Sequence, residues 1–374
     1  MKVTLKQIAE RTGFSISTVS RSLTNSPTIS KETRDNVHRI AAELGYGPTT
    51  KKRRQRKKKR TIHFALLADY RIGEFYASLF CGYRDASYLE DIRISLLSVR
   101  DQRKECVRFI QQIQKESNYD GIILFFPALE RPHYDEILRV LPKKFPIVSN
   151  ALIDNPNIAT ITFDGYNGGR LAAEHLHQLG YRRLGIIEGP GIRPESRFRS
   201  NGFADYIKQH SDLELTWRYK GNFEFQSGLD AFRDFRKHSL ALQNEISAAE
   251  MSYSSSPGST PLDRPETTMG GPSGADELPA DAVFACNDSM ASGFLEAAKS
   301  AGLRIPDDLA ILGYDNLPDG MHRDPRLSTI DTDFKELGVS SIKTLKNKII
   351  KQGYKHGTLS LIPVHLIERE STTG

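Results

Sequence analysis

The first stretch of the chain carries the spacing of three short helices. Leu5, Ile8, Ala9 and Thr12 recur at intervals of three and four, one face of a helix. Thr4 followed by Gln7 is a capping-box start, and Gly13 is a stop, because glycine readily takes the left-handed conformation that ends helices. Ser15 caps a second helix that turns Val19 and Leu23 inward, and Ser30 caps a third with Val37, Ile40, Ala41 and Leu44 inward, ended by Gly45 and Pro48. From residue 61 the period changes. Short β-rich runs (Ile62–Leu67, Ile94–Val99, Gly121–Phe126, Ile147–Ser149, Thr160–Phe163, Leu184–Glu188, Asp281–Cys286, Leu309–Gly313) alternate with helical stretches. The helical stretches are Glu74–Glu90, Gln102–Glu116, Tyr166–Leu179, Glu195–Gln209, Asp288–Ala301 and Phe334–Ile350. Strands alternating with helices of this length predict parallel sheets with crossover helices. The span is long for one such sheet, so two α/β subdomains are expected, with ligands beyond the carboxyl ends of the strands.

Charge adds a second division. Residues 51–60 read KKRRQRKKKR, nine of ten basic, so the first sixty residues carry +12 and the remaining 314 carry −6. A basic head on an acidic body points to a polyanionic partner for the head. The first two helices are joined by about three residues containing a glycine, which is helix-turn-helix spacing. In that motif the start of the second helix enters the major groove, and its exposed side chains here are Ile16, Ser17, Ser20 and Arg21. Arg21 can donate twice to a guanine edge or clamp a phosphate. The serines bond base or phosphate, and Ile16 makes apolar contact.

The wording narrows this further. LKQIAERTGFSISTVSRSLTN with ISKETRDNVHRIAAELGYGP resembles the DNA-binding headpiece of the LacI/GalR family of bacterial transcription regulators. The resemblance implies that Leu5, Ile16, Ser17, Ser20, Arg21, Thr24 and Thr28 lie at the DNA surface, and that Ser15, Thr18 and Thr33 hold phosphates. The next segment departs from the family. Thr49, Lys52 and Gln55 stand where Asn, Ala and a groove-wedging Leu are usual. Gln55 cannot act as an apolar wedge, and unstacking a base step costs a few kcal/mol that a wedge normally offsets. Residues 49–60 are therefore expected to contact DNA as a basic hinge or arm, through Lys52, Arg53, Gln55 and the run that follows.

The resemblance continues through the body. FDGYNGGRLAAEHLHQLGYRRLGIIEGP (163–190), DAVFACND (281–288), RIPDDLAILGYDN (304–316) and PRLSTID (325–331) are similar to family blocks, except that Tyr181 replaces a usual His. This implies the periplasmic-binding-protein-like (type I) fold: a small all-α helix-turn-helix headpiece (1–48), a linker (49–60) and a two-subdomain α/β body (61–374). By that analogy one subdomain is 61–162 plus about 334–361, and the other 163–332 plus 362–374, joined by three crossovers. Arg199, Asn287 and Asp315 match effector-binding positions. Phe223 matches an aromatic that stacks on the ligand, Asn150 and Glu195 are polar contacts, and Phe75 and Tyr76 line the opposite wall. Planar donors and carboxylates read vicinal hydroxyls and an aromatic ring covers a C–H face, which suits a sugar. Asp288 and Asp164 are expected as helix caps. Residues 251–276, with seventeen Ser, Thr, Pro or Gly, have no counterpart at the usual family length and are expected as a flexible surface insertion.

The expected function is a ligand-responsive transcriptional repressor. It would bind a palindromic operator in double-stranded DNA as a homodimer, or a tetramer, with a small-molecule effector in the cleft. The alternatives are a regulator with a degenerate cleft governed by a protein corepressor, and a solute-binding receptor. No run reaches the ~20 apolar residues of a membrane span. The N-terminus shows no apolar signal core, and Cys81, Cys106 and Cys286 are far apart and odd in number. A cytoplasmic location is therefore expected. Gly189-Pro190-Gly191 lacks the Gly-Lys-Ser/Thr ending of a phosphate loop. The ten histidines show no ligand spacing, and no paired carboxylates or nucleophile–base pair stand out. No metal, cofactor or catalytic residue is expected.

Overall fold

The computed structural model describes residues 3–46, 61–116, 119–153, 157–254, 278–351 and 357–373, with backbone alone for 102, 116, 240–254 and 351. Two compact units divide at Arg60 and Thr61.

The first unit holds α1 (Leu5–Thr12), α2 (Ile16–Leu23) and α3 (Lys31–Glu43). Local chemistry sets each boundary. Gln7 Oε1 accepts from Thr4 N at 2.8 Å while Thr4 Oγ1 accepts from Gln7 N at 3.4 Å, closing the capping box. Gly13 sits at φ 74°, the left-handed stop. Ser15 and Ser30 accept from Thr18 N and Thr33 N at 3.1 and 3.2 Å. Ile8, Ala9, Val19, Val37 and Ala41 form the core, flanked by Leu5, Leu23 and Leu44.

The second unit is built on two six-stranded sheets. The first sheet has the order β11-β5-β4-β3-β1-β2 and is parallel throughout. Its strands are β1 (His63–Ala68), β2 (Arg93–Ser98), β3 (Gly121–Phe125), β4 (Ile147–Ser149), β5 (Ala159–Phe163) and β11 (Leu359–Ile362). One face packs on α4 (Glu74–Leu89) and α12 (Phe334–Lys351), the other on α5 (Gln102–Glu116) and α6 (Arg131–Val140). Cover on both faces is why Phe64-Ala-Leu-Leu-Ala68 and Ile122-Ile-Leu124 are unbroken apolar runs rather than alternating ones.

The second sheet runs β12-β10-β9-β8-β6-β7. It comprises β6 (Arg183–Glu188), β7 (Glu214–Lys220), β8 (Ala282–Ala285), β9 (Ala310–Asp315), β10 (Ser328–Thr332) and β12 (Val364–Ile367). Around it lie α7 (Gly165–Gln178), α8 (Pro194–Gln209), α9 (Phe225–Ser254) and α10 (Asp288–Ser300), with the short α11 (Pro318–His322) and α13 (Glu370–Thr373). β12 runs antiparallel to β10, the one departure from the expected parallel pairing.

The chain passes between the sheets three times: from β5 into α7, from β10 into α12, and from β11 into β12. Phe163 and Ile362 still pair within the first sheet, one residue beyond the expected boundaries. The sequence reading lacked β7, β10, β11, β12, α6, α9, α11 and α13. α6 has Pro132 in its first turn, whereas β7 is an edge strand whose Leu215, Trp217 and Tyr219 alternate toward the core, a period-two signal that the sequence does carry. α9 reaches Ser254, so helix replaces loop over the first residues of the expected insertion. The rest of that insertion and the whole of the 49–60 segment lie outside the described residues.

Candidate functional site

In the headpiece, α2 presents the residues expected at DNA. Ile16 is half exposed at 50%, and Ser17, Arg21, Thr24 and Thr28 are exposed. Ser20, Thr18 and Thr33 are half-buried. Ser15 Oγ lies 2.7 Å from Ser17 Oγ and 2.9 Å from Thr18 Oγ1, so three hydroxyls cluster at the positive end of α2, where an anionic oxygen is favoured. Thr24 bonds back to Ser20 O at 3.0 Å, and Thr28 bonds Ser26 at 2.9 Å. Leu5 is half-buried against the headpiece core, which limits it to edge contact. Lys52, Arg53 and Gln55 lie outside the described residues.

In the body, strand ends converge. Asp315 is the last residue of β9, Asn287 follows β8, Phe223 follows β7, and Asn150 follows β4. They line one cavity of about 380 Å³ between the two lobes, together with Phe75, Tyr76, Glu195 and Arg199. A carboxyl-end crevice is where an open α/β sheet leaves strand-end polar groups for a ligand.

Arg199 reaches the cavity because α7 and α8 touch backbone to backbone. A Cβ on Gly169 would stand 2.0 Å from Arg199 O, and one on Gly202 would stand 1.9 Å from Tyr166 O. The guanidinium donates to Cys286 O at 2.6 Å and stacks 3.7 Å from the Tyr314 ring centroid. Its Nη1 lies 3.2 Å from Asp315 Oδ1 in a buried ion pair. That oxygen has no hydrogen-bond partner in line, and neither do Tyr314 Oη and Glu195 Oε2. Burial pushes the Asp315 carboxyl up to about 7, with Arg199 pulling it the other way. Burial also raises Glu195, against backbone donors and the two nearby arginines. Arg199 stays cationic: burial works against it, and Asp315, Tyr314, Cys286 and Glu195 together outweigh that. Unpartnered buried acceptors beside a fixed guanidinium suit a polyol, since each hydroxyl can both donate and accept.

The remaining members differ in what they have left to offer. Phe223 takes φ 74°, and a Cβ on Gly189 would come within 2.2 Å of its ring, so glycine there admits the aromatic wall. Asp315 is held at φ 115°, also left-handed and unfavourable for a side-chain-bearing residue. Asn287 caps α10 by accepting from Met290 N at 3.0 Å and donates to Phe223 O at 2.9 Å, so it braces the aromatic wall. Asn150 accepts from Tyr83 Oη and donates to Ile161 O and Ser341 Oγ, both at 2.9 Å. Its two donors are therefore engaged inside its own lobe. Phe75 and Tyr76 join Phe125 and Phe334 in an aromatic cluster, with Phe75 and Phe125 stacked at 5.7 Å. Glu195 Oε1 accepts from Leu152 N at 2.9 Å, a bond from one lobe to the other.

Asp164 caps α7 through Asn167 N at 3.1 Å. Asp288, expected as a cap, is not one. Its oxygens accept from Leu317 N and Thr329 Oγ1, both at 2.7 Å, and Asn287 holds the cap. Burial raises the Asp288 carboxyl to about 6. Sequence reasoning missed Tyr314, which sits inside a quoted motif without being singled out, and Arg193, for which spacing gives no signal. Among the described residues no group of three or more His, Cys, Asp or Glu is arranged for a metal, and no helix is long and apolar enough to cross a membrane.

Two family models fit the chain. The model for bacterial regulatory proteins of the lacI family matches residues 4–49, and that for the periplasmic binding protein-like domain matches residues 173–372. The chain belongs to the lacI family of bacterial regulatory proteins. It is similar to the probable HTH-type transcriptional repressor ExuR of Bacillus subtilis, 27% identical over 93% of this chain and 92% of that one. The ribose operon repressor of Escherichia coli K12 is 26% identical over 98% and 99%. In fold, this lacI-family chain matches the lac repressor dimer bound to operator and the anti-inducer ONPF, with TM-score 0.64, 23% identity and full coverage of both chains. It also matches the regulator CelR in complex with cellobiose, with TM-score 0.63, 23% identity, and 99% and 100% coverage. The curated relatives are repressors, not enzymes.

Proposed function

We propose that this regulator is a repressor that binds a palindromic operator as a homodimer through α2, and that a sugar or sugar derivative in the body cavity changes its grip on DNA. The observation that carries the effector reading is the buried Arg199–Asp315 pair with unpartnered acceptors beside it, inside an aromatic-walled cavity. A cavity governed only by a protein corepressor would gain nothing from keeping buried charges, which are costly to hold. Among the described residues no histidine or cysteine lines the cavity, and His175 and His177 of α7 bond Thr372 and Asp212 separately. That favours binding over catalysis. A reader of operator DNA works in the cytoplasm, which is where we place it.

The coupling must come from different effector affinities in the free and operator-bound states. The test has two arms. Arg21→Ala, at an exposed position, is expected to cut affinity for an operator selected from a random duplex pool by about 10- to 100-fold while thermal unfolding stays unchanged. Asp315→Asn is expected to keep operator affinity and lose the shift produced by whichever compound a calorimetric screen of sugars, sugar phosphates and nucleobases identifies. An Asp315→Asn protein that still responds to that compound would overturn the cavity assignment.

A further inference from the structure

The charged side chains lining the cavity are nearly all engaged. Arg71 pairs with Asp69 at 3.1 Å, Glu74 accepts from Asp319 N at 2.8 Å, and Asp164 caps α7. Glu224 accepts from Asn222 Nδ2 at 3.2 Å, Glu195 accepts from Leu152 N, and Arg199 faces Asp315. Arg193 is the exception. Its side chain has no hydrogen bond or ion pair among the described residues, although it is half-buried and lines the cavity. Its guanidinium carbon lies 5.6 Å from the Phe223 ring centroid, and that of Arg199 lies 5.9 Å from the same ring. Two guanidiniums thus flank one aromatic wall; Asp315 pairs with Arg199, while Glu195, whose charge acts on both, forms an ion pair with neither. The field of Arg193 reaches Tyr76 on the opposite lobe, so the charge stands over the cavity. Arg193 also occupies the N-cap position of the sixteen-residue α8, where it makes no side-chain cap bond, so a cation stands at the end of the helix that already favours anions. The deeper end presents the unpartnered Asp315 and Tyr314 oxygens, both on residues at least nine-tenths buried.

We infer that the effector is an acidic sugar: a polyol body held at the Arg199–Asp315 end, carrying one carboxylate that pairs with Arg193. This rests on the effector-cavity reading above and adds its chemical class. A planar carboxylate matches the guanidinium fork in two parallel hydrogen bonds. A phosphate dianion calls for a second free cation, and the other arginines lining the cavity, Arg71 and Arg199, are already tied to Asp69 and Asp315. A neutral sugar would leave Arg193 with no anion in ion-pair contact, since Glu195 acts on it only through its field. A cavity of about 380 Å³ accommodates a monosaccharide-sized body.

The test uses the full chain in calorimetry with three sets of probes: D-glucuronate, D-galacturonate and D-gluconate; D-glucose and D-galactose; and D-glucose 6-phosphate. At least one carboxylate probe is expected to bind more tightly than its neutral counterpart and than the phosphate. Arg193→Gln is expected to weaken that probe by about 10- to 100-fold and to leave any neutral sugar unchanged. A circular-dichroism melt matching the parent would show that the variant is folded. Tighter binding of the neutral sugars or of the phosphate, or a carboxylate affinity untouched by Arg193→Gln, would overturn the inference while leaving the effector cavity standing. If no probe of any set binds, and operator affinity is equally blind to all of them, both the inference and the sugar reading fall.

Discussion

The headpiece and the body solve the problem of placing functional groups in opposite ways. In the headpiece, most of the groups proposed to meet DNA sit within one short helix and its caps. Ser15, Ile16, Ser17, Thr18 and Arg21 are neighbours in sequence, and they are exposed or half-buried over a core of five small and medium apolar side chains. In the body, Arg199 comes from α8, Phe223 from the loop after β7, Asn287 from the cap of α10 and Asp315 from the end of β9. They meet only after two sheets have formed, and they meet buried. A surface reader can lose a side chain at little cost to the fold. A buried reader loses stability with it, because each charge was placed against another.

The sharpest way to break that contrast is Arg199→Ala. Removing one partner of a buried pair typically costs 3–5 kcal/mol where the other must stay charged; Asp315, already raised to about 7 by burial, can take up a proton instead, so a loss toward the low end of that range is expected. Here the cavity also loses the cation–π contact with Tyr314 and the bond to Cys286 O. Urea unfolding of the body should show the loss, whereas Arg21→Ala in the headpiece should leave unfolding unmoved. Equal effects from the two arginines would mean that the burial distinction carries no energetic weight.

The basic segment gives the next test, on the headpiece side. Each neutralised phosphate adds about −0.9 to the slope of log affinity against log salt. Replacing Lys57, Lys58, Lys59 and Arg60 with Gln should therefore flatten the slope by up to roughly 3–4. The effector response should persist in the same variant. An unchanged slope would remove this run from the DNA contact.

The buried carboxyls of the body should also make its stability depend on pH. Asp315 is held at about 7, while an unfolded aspartate titrates near ~3.9. Between those values the folded state keeps a proton that the unfolded state has released. The group's contribution therefore falls as pH rises from about 4 to about 7, the reverse of an ordinary salt-bridged carboxylate. Asp288, at about 6, acts with the same sign. Asp315→Asn should flatten the upper part of that slope in urea unfolding series and leave the Asp288 part. If the parent grew more stable across this interval, the burial assigned to these carboxyls would be wrong.

The same contrast explains what the sequence could reveal. Headpiece caps and faces are local, so Thr4–Gln7, Gly13, Ser15 and Ser30 could be read from spacing and each does the expected work. The strands buried on both faces were visible as apolar runs. The cavity residues were not visible in that way. Arg199 and Asp315 are 116 residues apart, and no period or composition links them; only the likeness of RFRSNGF and GYDN to family blocks picked them out. Likeness also over-reads. Asn150 and Asn287 lie at the expected place, yet their amides are largely engaged with Tyr83, Ile161 and Ser341, and with Met290 and Phe223. Asp288 reads as a cap because it opens a helix, but its carboxylate ties α10 to Leu317 and Thr329 instead. Whether a polar atom is free depends on distant partners, and sequence order does not encode them.

The smallest expected effect tests how local the headpiece is. Ser15 caps α2 and also positions Ser17 and Thr18 through its hydroxyl. Ser15→Ala should cost about 1 kcal/mol in headpiece stability, the usual worth of such a cap. It should also weaken operator binding modestly, because the hydroxyl cluster at the helix start loses its centre. Ser15→Asp restores the cap acceptor but places a negative charge where a phosphate is expected. It should therefore recover the stability and lose more affinity than Ser15→Ala. If stability and operator affinity instead moved together across the two variants, Ser15 would act on DNA only through the fold of α2, and the phosphate-facing role of that hydroxyl cluster would have to be given up.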